Sequence, residues 1–184
     1  MFSKQKRLEI LSGEVSRCIS CRLHEGRANT VFGEGALDAK VMFVGEAPGQ
    51  TEDETGRPFV GRAGKLLDSM IASIGLKRED VYIANICKCR PPGNRKPKPD
   101  EMDVCKPFLS VQLGTIKPKV IVALGNTALE GLTGRGEISK RCGEWEDWFG
   151  WKLMPCYHPS ALLRNPNWKT PAGNALQKVA KELL

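Results

Sequence analysis

Seven cysteines stand in this chain of 184 residues, and four of them are spaced for joint chemistry. Cys18-Ile19-Ser20-Cys21 is a C-x2-C pair; Cys89 and Cys105 form a C-x15-C pair across a proline-rich stretch. Thiolates from two separated segments can close a tetrahedral zinc site or hold an iron–sulfur cluster, and spacing does not choose between them. Cys87 is an alternative ligand, but it sits inside an apolar strand and leaves Cys89 as the outward member. Cys142 and Cys156 read as ordinary thiols. The competing reading makes all seven small buried apolar residues.

A second stretch with chemical content is "VMFVGEAPGQTEDETGRPFVG", residues 41 to 61. A strand that runs into a glycine-rich turn usually suggests phosphate binding. This turn instead offers the carboxylate of Glu46 and the ring of Pro48, where a phosphate cradle wants bare amides and a lysine. There are only two histidines: His24 beside the first cysteine pair, and His158 in the short turn Tyr157-His158-Pro159-Ser160. "EDE" at 52 to 54 would suit a metal-dependent hydrolase.

These residues need elements to position them. Residues 3 to 16 repeat Leu8, Leu11 and Val15 at helical spacing, and residues 63 to 74 do the same before Gly75. "VMFV" at 41 to 44, "VYIANI" at 81 to 86 and "KVIVAL" at 119 to 124 read as strands. "KCRPPGNRKPKP" at 88 to 99 has four prolines and can be neither helix nor central strand. Asp100 is placed to cap a helix over about 101 to 115. Residues 145 to 155 read as a hairpin turning near Gly150, and 171 to 184 as a closing helix. Strands alternating with helices imply an α/β fold with a mostly parallel sheet. In such sheets ligands sit beyond the carboxyl ends of the strands. Gly45-Glu46, Asn85, Gly125-Asn126 and the His158 turn all sit at such ends, so they are expected to converge on one pocket.

Length favours a single domain spanning 1 to 184. The formal net charge of +7 fits a nucleic-acid partner without demanding one. The charged N-terminal stretch does not read as a secretory signal, and no apolar run is long enough to span a membrane. Without export, clustered cysteines are more often metal ligands than disulfides.

Taken together, "GEAPGQTEDETGRPFVGRAG", "YIANICKCRPPGNRKPKPDE" and "HPSALLRNP", with the four cysteines around them, resemble the family 4 uracil-DNA glycosylases, the iron–sulfur type. The likeness runs over nearly the whole chain. It implies a three-layer α/β/α fold with a central, mostly parallel four-stranded sheet. It also implies a structural [4Fe–4S] cluster on Cys18, Cys21, Cys89 and Cys105. The implied activity is base-excision repair: uracil is flipped from single- or double-stranded DNA and its glycosidic bond hydrolysed. The expected enzyme is monomeric, cytoplasmic and associated with the nucleoid.

The resemblance also distributes roles. Asn85 would read uracil, since one amide can satisfy O4 and N3–H together and mismatches cytosine. Phe59 would stack under the ring, while Gly45 and Ala47 line the pocket. His158 would donate to the departing uracil as charge builds on it. Better-known relatives carry an aspartate where this chain has Ala47, so Glu46 inherits the task of positioning water or stabilising the sugar cation. Glu52 and Asp53 are expected either to screen the 5-position or to cap the turn. Lys88 and Arg90 of the basic loop, with Arg95, Lys96 and Lys98, would meet DNA. Pro159, Ser160, Leu162 and Arg164 would press on it from the minor-groove side, with Leu162 or Leu163 as an apolar wedge. Two alternatives accompany this reading: a non-catalytic cluster-bearing DNA-binding module, which the missing aspartate keeps open, and a glycosylase of broader deaminated-base specificity.

Overall fold

The computed structural model describes residues 2–184. Six strands form one sheet: β1 (Glu34–Gly35), β2 (Val41–Gly45), β3 (Tyr82–Asn85), β4 (Val120–Leu124), β5 (Glu146–Trp148) and β6 (Trp151–Cys156). Eight α-helices accompany them: α1 (Lys4–Ser16), α2 (Gln50–Thr55), α3 (Arg62–Ala72), α4 (Pro99–Ile116), α5 (Asn126–Thr133), α6 (Ile138–Arg141), α7 (Pro159–Arg164) and α8 (Lys169–Leu183).

The strand order is β1-β3-β2-β4-β6-β5. The inner pairs β3/β2, β2/β4 and β4/β6 are parallel, while β1 and β5 lie antiparallel at the two edges. The expectation of a four-stranded, mostly parallel sheet is therefore corrected to a mixed sheet of six. Two residues in a glycine-rich segment show no period-two pattern, so β1 left no trace in the sequence. The Gly150 hairpin returns β5 along β6 instead of ending the sheet there.

β2, β3 and β4 are buried along their whole length, which is why they read as unbroken apolar runs. Met42, Ala84 and Ile121 pack with α1, α4 and α5 on one face. Phe43, Ile83 and Val122 pack with α3, α7 and α8 on the other. The α4 start differs from expectation: Pro99 takes the first turn, and Glu101, not Asp100, accepts the Lys98 amide at 2.7 Å. Proline is preorganised for that first turn and has no amide to leave unpaired.

Candidate active site

The register of the central strands puts Gly45 directly beside Asn85 and Leu124 beside Cys156. The turns that follow these residues open together into a cleft of about 770 Å³, which Glu46, Ala47, Phe59, Asn85 and His158 all help to line. The expected convergence at the strand ends is met.

Asn85 is 2% exposed, and its side-chain oxygen has no hydrogen-bond partner. A buried acceptor left unpaired is costly, and native interiors rarely tolerate one. This oxygen lies so near β2 that a Cβ at residue 45 would stand 2.4 Å from it. The same Cβ would stand 2.5 Å from Phe59 Cζ. Glycine at 45 thus makes room for the amide and the aromatic ring together. Beneath Asn85, Lys88 is 1% exposed; its ammonium donates to the Asn85 carbonyl at 2.9 Å and to Gln112 Oε1 at 2.7 Å. Gln112 in turn donates to the Phe32 carbonyl at 2.9 Å and to the Tyr82 hydroxyl at 3.2 Å. Burial draws the Lys88 ammonium down to a pKa of about 8.

Phe59 is buried, and its ring centroid lies 5.5 Å from that of His158. Its backbone is left-handed, with φ of 51°, an uncommon conformation for a bulky residue. His158 precedes α7, and its Nδ1 accepts the Ser160 amide at 3.1 Å, with Ser160 Oγ at 2.8 Å. An amide can only donate, so Nδ1 is unprotonated and the ring proton sits on Nε2. Burial, helped by the positive charge of Arg164, pulls the imidazole from its ordinary 6.5 down to about 4. The ring is thus neutral at physiological pH and keeps one donor. Gly125 allows this packing: its φ is +88°, and a Cβ there would meet His158 Cβ at 2.9 Å.

Glu46 is half-buried at the cleft wall, and its carbonyl accepts the Cys87 amide at 3.0 Å. Ala47 lines the same wall. Glu52 spends Oε1 on the amides of Val60 and Gly61, at 2.9 and 2.8 Å, which ties down the start of α3. Asp53 is 4% exposed and accepts the Ala28 amide with both oxygens. Both carboxylates thus hold backbone amides of neighbouring segments, and Glu52 also lines the cleft.

Residues 32–183 match the sequence model of the uracil DNA glycosylase superfamily. The type-4 uracil-DNA glycosylase of Thermotoga maritima is 51% identical over 168 residues, covering 90% of this chain and 88% of that relative. The chain belongs to the type-4 uracil-DNA glycosylase family. The type-4 enzyme of Saccharolobus solfataricus is 42% identical, over 96% of this chain and 86% of its own. More distantly, a type-5 uracil-DNA glycosylase of Thermus thermophilus is 30% identical over 85% of this chain and 78% of its own.

Around the mouth of this cleft the sequence expectations divide. Ser160, Ala161, Arg164 and Trp168 line it, and Pro159 is buried at the start of α7. Leu162 is 2% exposed and packs into the core, so it is corrected as a DNA-facing residue; Leu163, 42% exposed, is its outward neighbour. Adjacent residues on a helix point about 100° apart, and only packing tells which points out. Lys88 is likewise removed from the surface set, since its ammonium is turned inward. Arg90 pairs with Asn94 at 2.7 Å, Lys96 with Glu130 at 2.6 Å, and Arg95 makes a two-pronged bridge to buried Glu101 at 2.8 and 2.7 Å. Arg22 also meets the Asp100 carboxylate, tying the first cysteine segment to α4. Trp168 stacks on Tyr157 with centroids 4.8 Å apart and planes 3° from parallel.

The cysteine expectation needs correction. Cys18, Cys21, Cys89 and Cys105 do line one crevice, but the space among them is only about 10 Å³, roughly one water-sized probe. Among the described residues no group of three or more His, Cys, Asp or Glu side chains is placed to hold a metal ion. The sulfurs have other partners: Cys89 accepts from Arg27 at 3.2 Å, Cys105 from the Lys88 amide at 3.3 Å, and Cys18 donates to Ser20 Oγ at 3.4 Å. As arranged, these residues do not fit a [4Fe–4S] cluster. Spacing placed the four in one region, but there the sulfurs take Arg27, the Lys88 amide and Ser20 as hydrogen-bond partners.

Proposed function

We propose that this protein is a monofunctional uracil-DNA glycosylase that flips uracil from DNA and hydrolyses the bond between N1 and the sugar. The observation that carries the reading is the unpaired, buried oxygen of Asn85, set beside the Phe59 ring in the cleft that holds a neutral His158. Uracil N3–H would satisfy that oxygen, and the Asn85 amide nitrogen would donate to O4. Cytosine presents an acceptor and a donor in the reverse order and would leave the oxygen unpaired. Phe59 would form the floor under the base, as aromatic faces do for extruded bases.

As the glycosidic bond lengthens, negative charge gathers on uracil O2 and N1, and the sugar becomes cationic. The Nε2–H of His158 would stabilise the leaving base, a preorganised donor acting where charge develops. Glu46 would face the sugar, steadying its positive charge and orienting the attacking water. No lysine lines the cleft among the described residues, so strand cleavage through a Schiff base is not expected. Arg90, Arg164, Ser160 and Leu163 would hold the flanking DNA. The proposed unit is a single domain over 1 to 184, acting as a monomer near the nucleoid.

The test is base release from single- and double-stranded oligonucleotides carrying uracil, hypoxanthine or mismatched thymine, with and without a divalent chelator. Uracil release that persists under chelation is expected. Retention of DNA with no base released would overturn the reading.

A further inference from the structure

We propose that Arg78 is a positioning residue for the base pocket, which holds Phe59 in its left-handed conformation by clamping the backbone on both sides of that ring's attachment. The inference rests on the reading of Phe59 as the floor under the flipped base.

Arg78 lies in the short turn that leads into β3 and is remote in sequence from the loop it grips. One guanidinium nitrogen, Nη1, donates to the Phe59 carbonyl at 2.9 Å and to Asp68 Oδ1 at 2.8 Å. The other, Nη2, reaches the Pro58 carbonyl. Nε donates to Glu34 Oε1 at 2.9 Å, and the second Glu34 oxygen takes Arg57 Nε at 2.9 Å. The side chain is only 20% exposed. A planar fork of five donors suits two adjacent carbonyls flanked by carboxylates, and a lysine could not reproduce it.

Phe59 needs such a clamp. Its φ of 51° is disfavoured for a large side chain and persists only where the surroundings impose it. The Phe59 carbonyl also lies close against Gly64, where a Cβ would stand 1.9 Å from it. The glycine of α3 and the guanidinium of Arg78 therefore both meet this one carbonyl. The ring is delivered against Gly45 and Asn85 as a result.

The test is a double-mutant cycle on single-turnover uracil release, with Arg78→Lys and Arg78→Gln each made in the unmodified protein and in Phe59→Ala. Affinity for DNA carrying a preformed abasic site and thermal melting are measured alongside. Arg78→Lys is expected to slow release about tenfold or more, to leave abasic-site affinity within about twofold, and to have little effect once Phe59 is alanine, because coupled residues are not additive. Equal slowing in both backgrounds, or no slowing in the folded Arg78→Lys protein, overturns the proposal. If Arg78→Lys does not fold, Glu34→Gln, which loosens the clamp without touching Phe59, is held to the same cycle. Phe59→Ala that releases uracil at the unmodified rate sinks the floor reading itself, and the clamp's role with it; that result is distinct from a failure of coupling.

Discussion

The side-chain oxygen of Asn85 lies where the β-carbon of any residue but glycine at position 45 would have to stand, 2.4 Å away. The two residues are register partners on β2 and β3, so neither can move without shifting the sheet. Gly45→Ala should therefore fold but displace the amide and the Phe59 ring. The expected loss is roughly 100-fold in uracil release, comparable to removing an essential transition-state contact. Asn85→Ala should lose at least as much. Single-turnover kinetics on a uracil oligonucleotide checks both, and release within a few-fold of the unmodified rate would remove Asn85 from the site.

His158 makes a prediction about pH. Its pKa is depressed in the folded protein, to about 4 from 6.5. The unfolded chain therefore binds more protons between those values, and stability rises with pH across that window. This contribution is fully present above about 6.5 and is lost as pH falls toward 4. The release rate should show no histidine titration between pH 5 and 8, since the Nε2 donor is already neutral. A step near 6.5 that disappears in His158→Ala would contradict the lowered pKa. His158→Ala itself should slow release by about 100-fold or more.

Glu101 joins the proline-rich loop to the first cysteine segment. Its side chain is fully buried, and the hydrogen bonds from Arg95 hold its carboxyl down at about 2. The stabilisation is present above the ordinary value of 4.5 and is lost as pH falls through about 2. Glu101→Gln should cost about 2–4 kcal/mol, because Arg95 and the Lys98 amide lose a charged acceptor. Urea unfolding at neutral pH measures it; a change below about 0.5 kcal/mol would show the bridge to be dispensable.

Lys88 should behave as a buried strut beneath Asn85. Lys88→Ala removes the donor to the Asn85 carbonyl and to Gln112 and leaves a void, at a cost of about 3–5 kcal/mol. A lysine acting at the DNA surface would instead change the salt dependence of binding and leave the melting temperature alone. The melting temperature and the salt slope of DNA affinity, measured together, distinguish the two.

Arg164 is exposed at the rim of the cleft, and no carboxylate pairs with it among the described residues. Arg164→Ala should weaken DNA binding and lower the slope of log affinity against log salt by about one, as expected for one lost phosphate contact. An unchanged slope would place Arg164 away from the phosphates.

The site was legible in the sequence to the extent that it is made of short local motifs. Gly45-Glu46, Asn85 and His158 follow apolar runs that had to be buried strands, and strand ends in such sheets gather at one edge. The same local reading misjudged residues whose direction depends on distant neighbours. Lys88 sits in a basic stretch, yet Gln112, 24 residues away, turns it inward. Leu162 and Leu163 are indistinguishable in composition, and the packing of α7 buries one of them. Arg78 showed no signal, because what it grips is 19 and 20 residues away and consists of backbone carbonyls.

The cysteines show the same limit from the other side. Their spacing brought Cys18, Cys21, Cys89 and Cys105 to one crevice, while the sulfur partners and the space among them were settled by how α1, α4 and the Arg27 guanidinium close over it. The amino-acid sequence by itself determined the alternation of strands and helices, the edge of the sheet that would bear the site, and the residue types available there, because hydrophobic period and turn chemistry act over a few neighbours. The antiparallel edge strands, the left-handed Phe59 with its clamp, the neutral histidine tautomer and the unpaired oxygen of Asn85 were decided only in the tertiary structure. Each depends on which atoms from separate segments are brought within about 3 Å, and hydrogen bonding and desolvation act at that range.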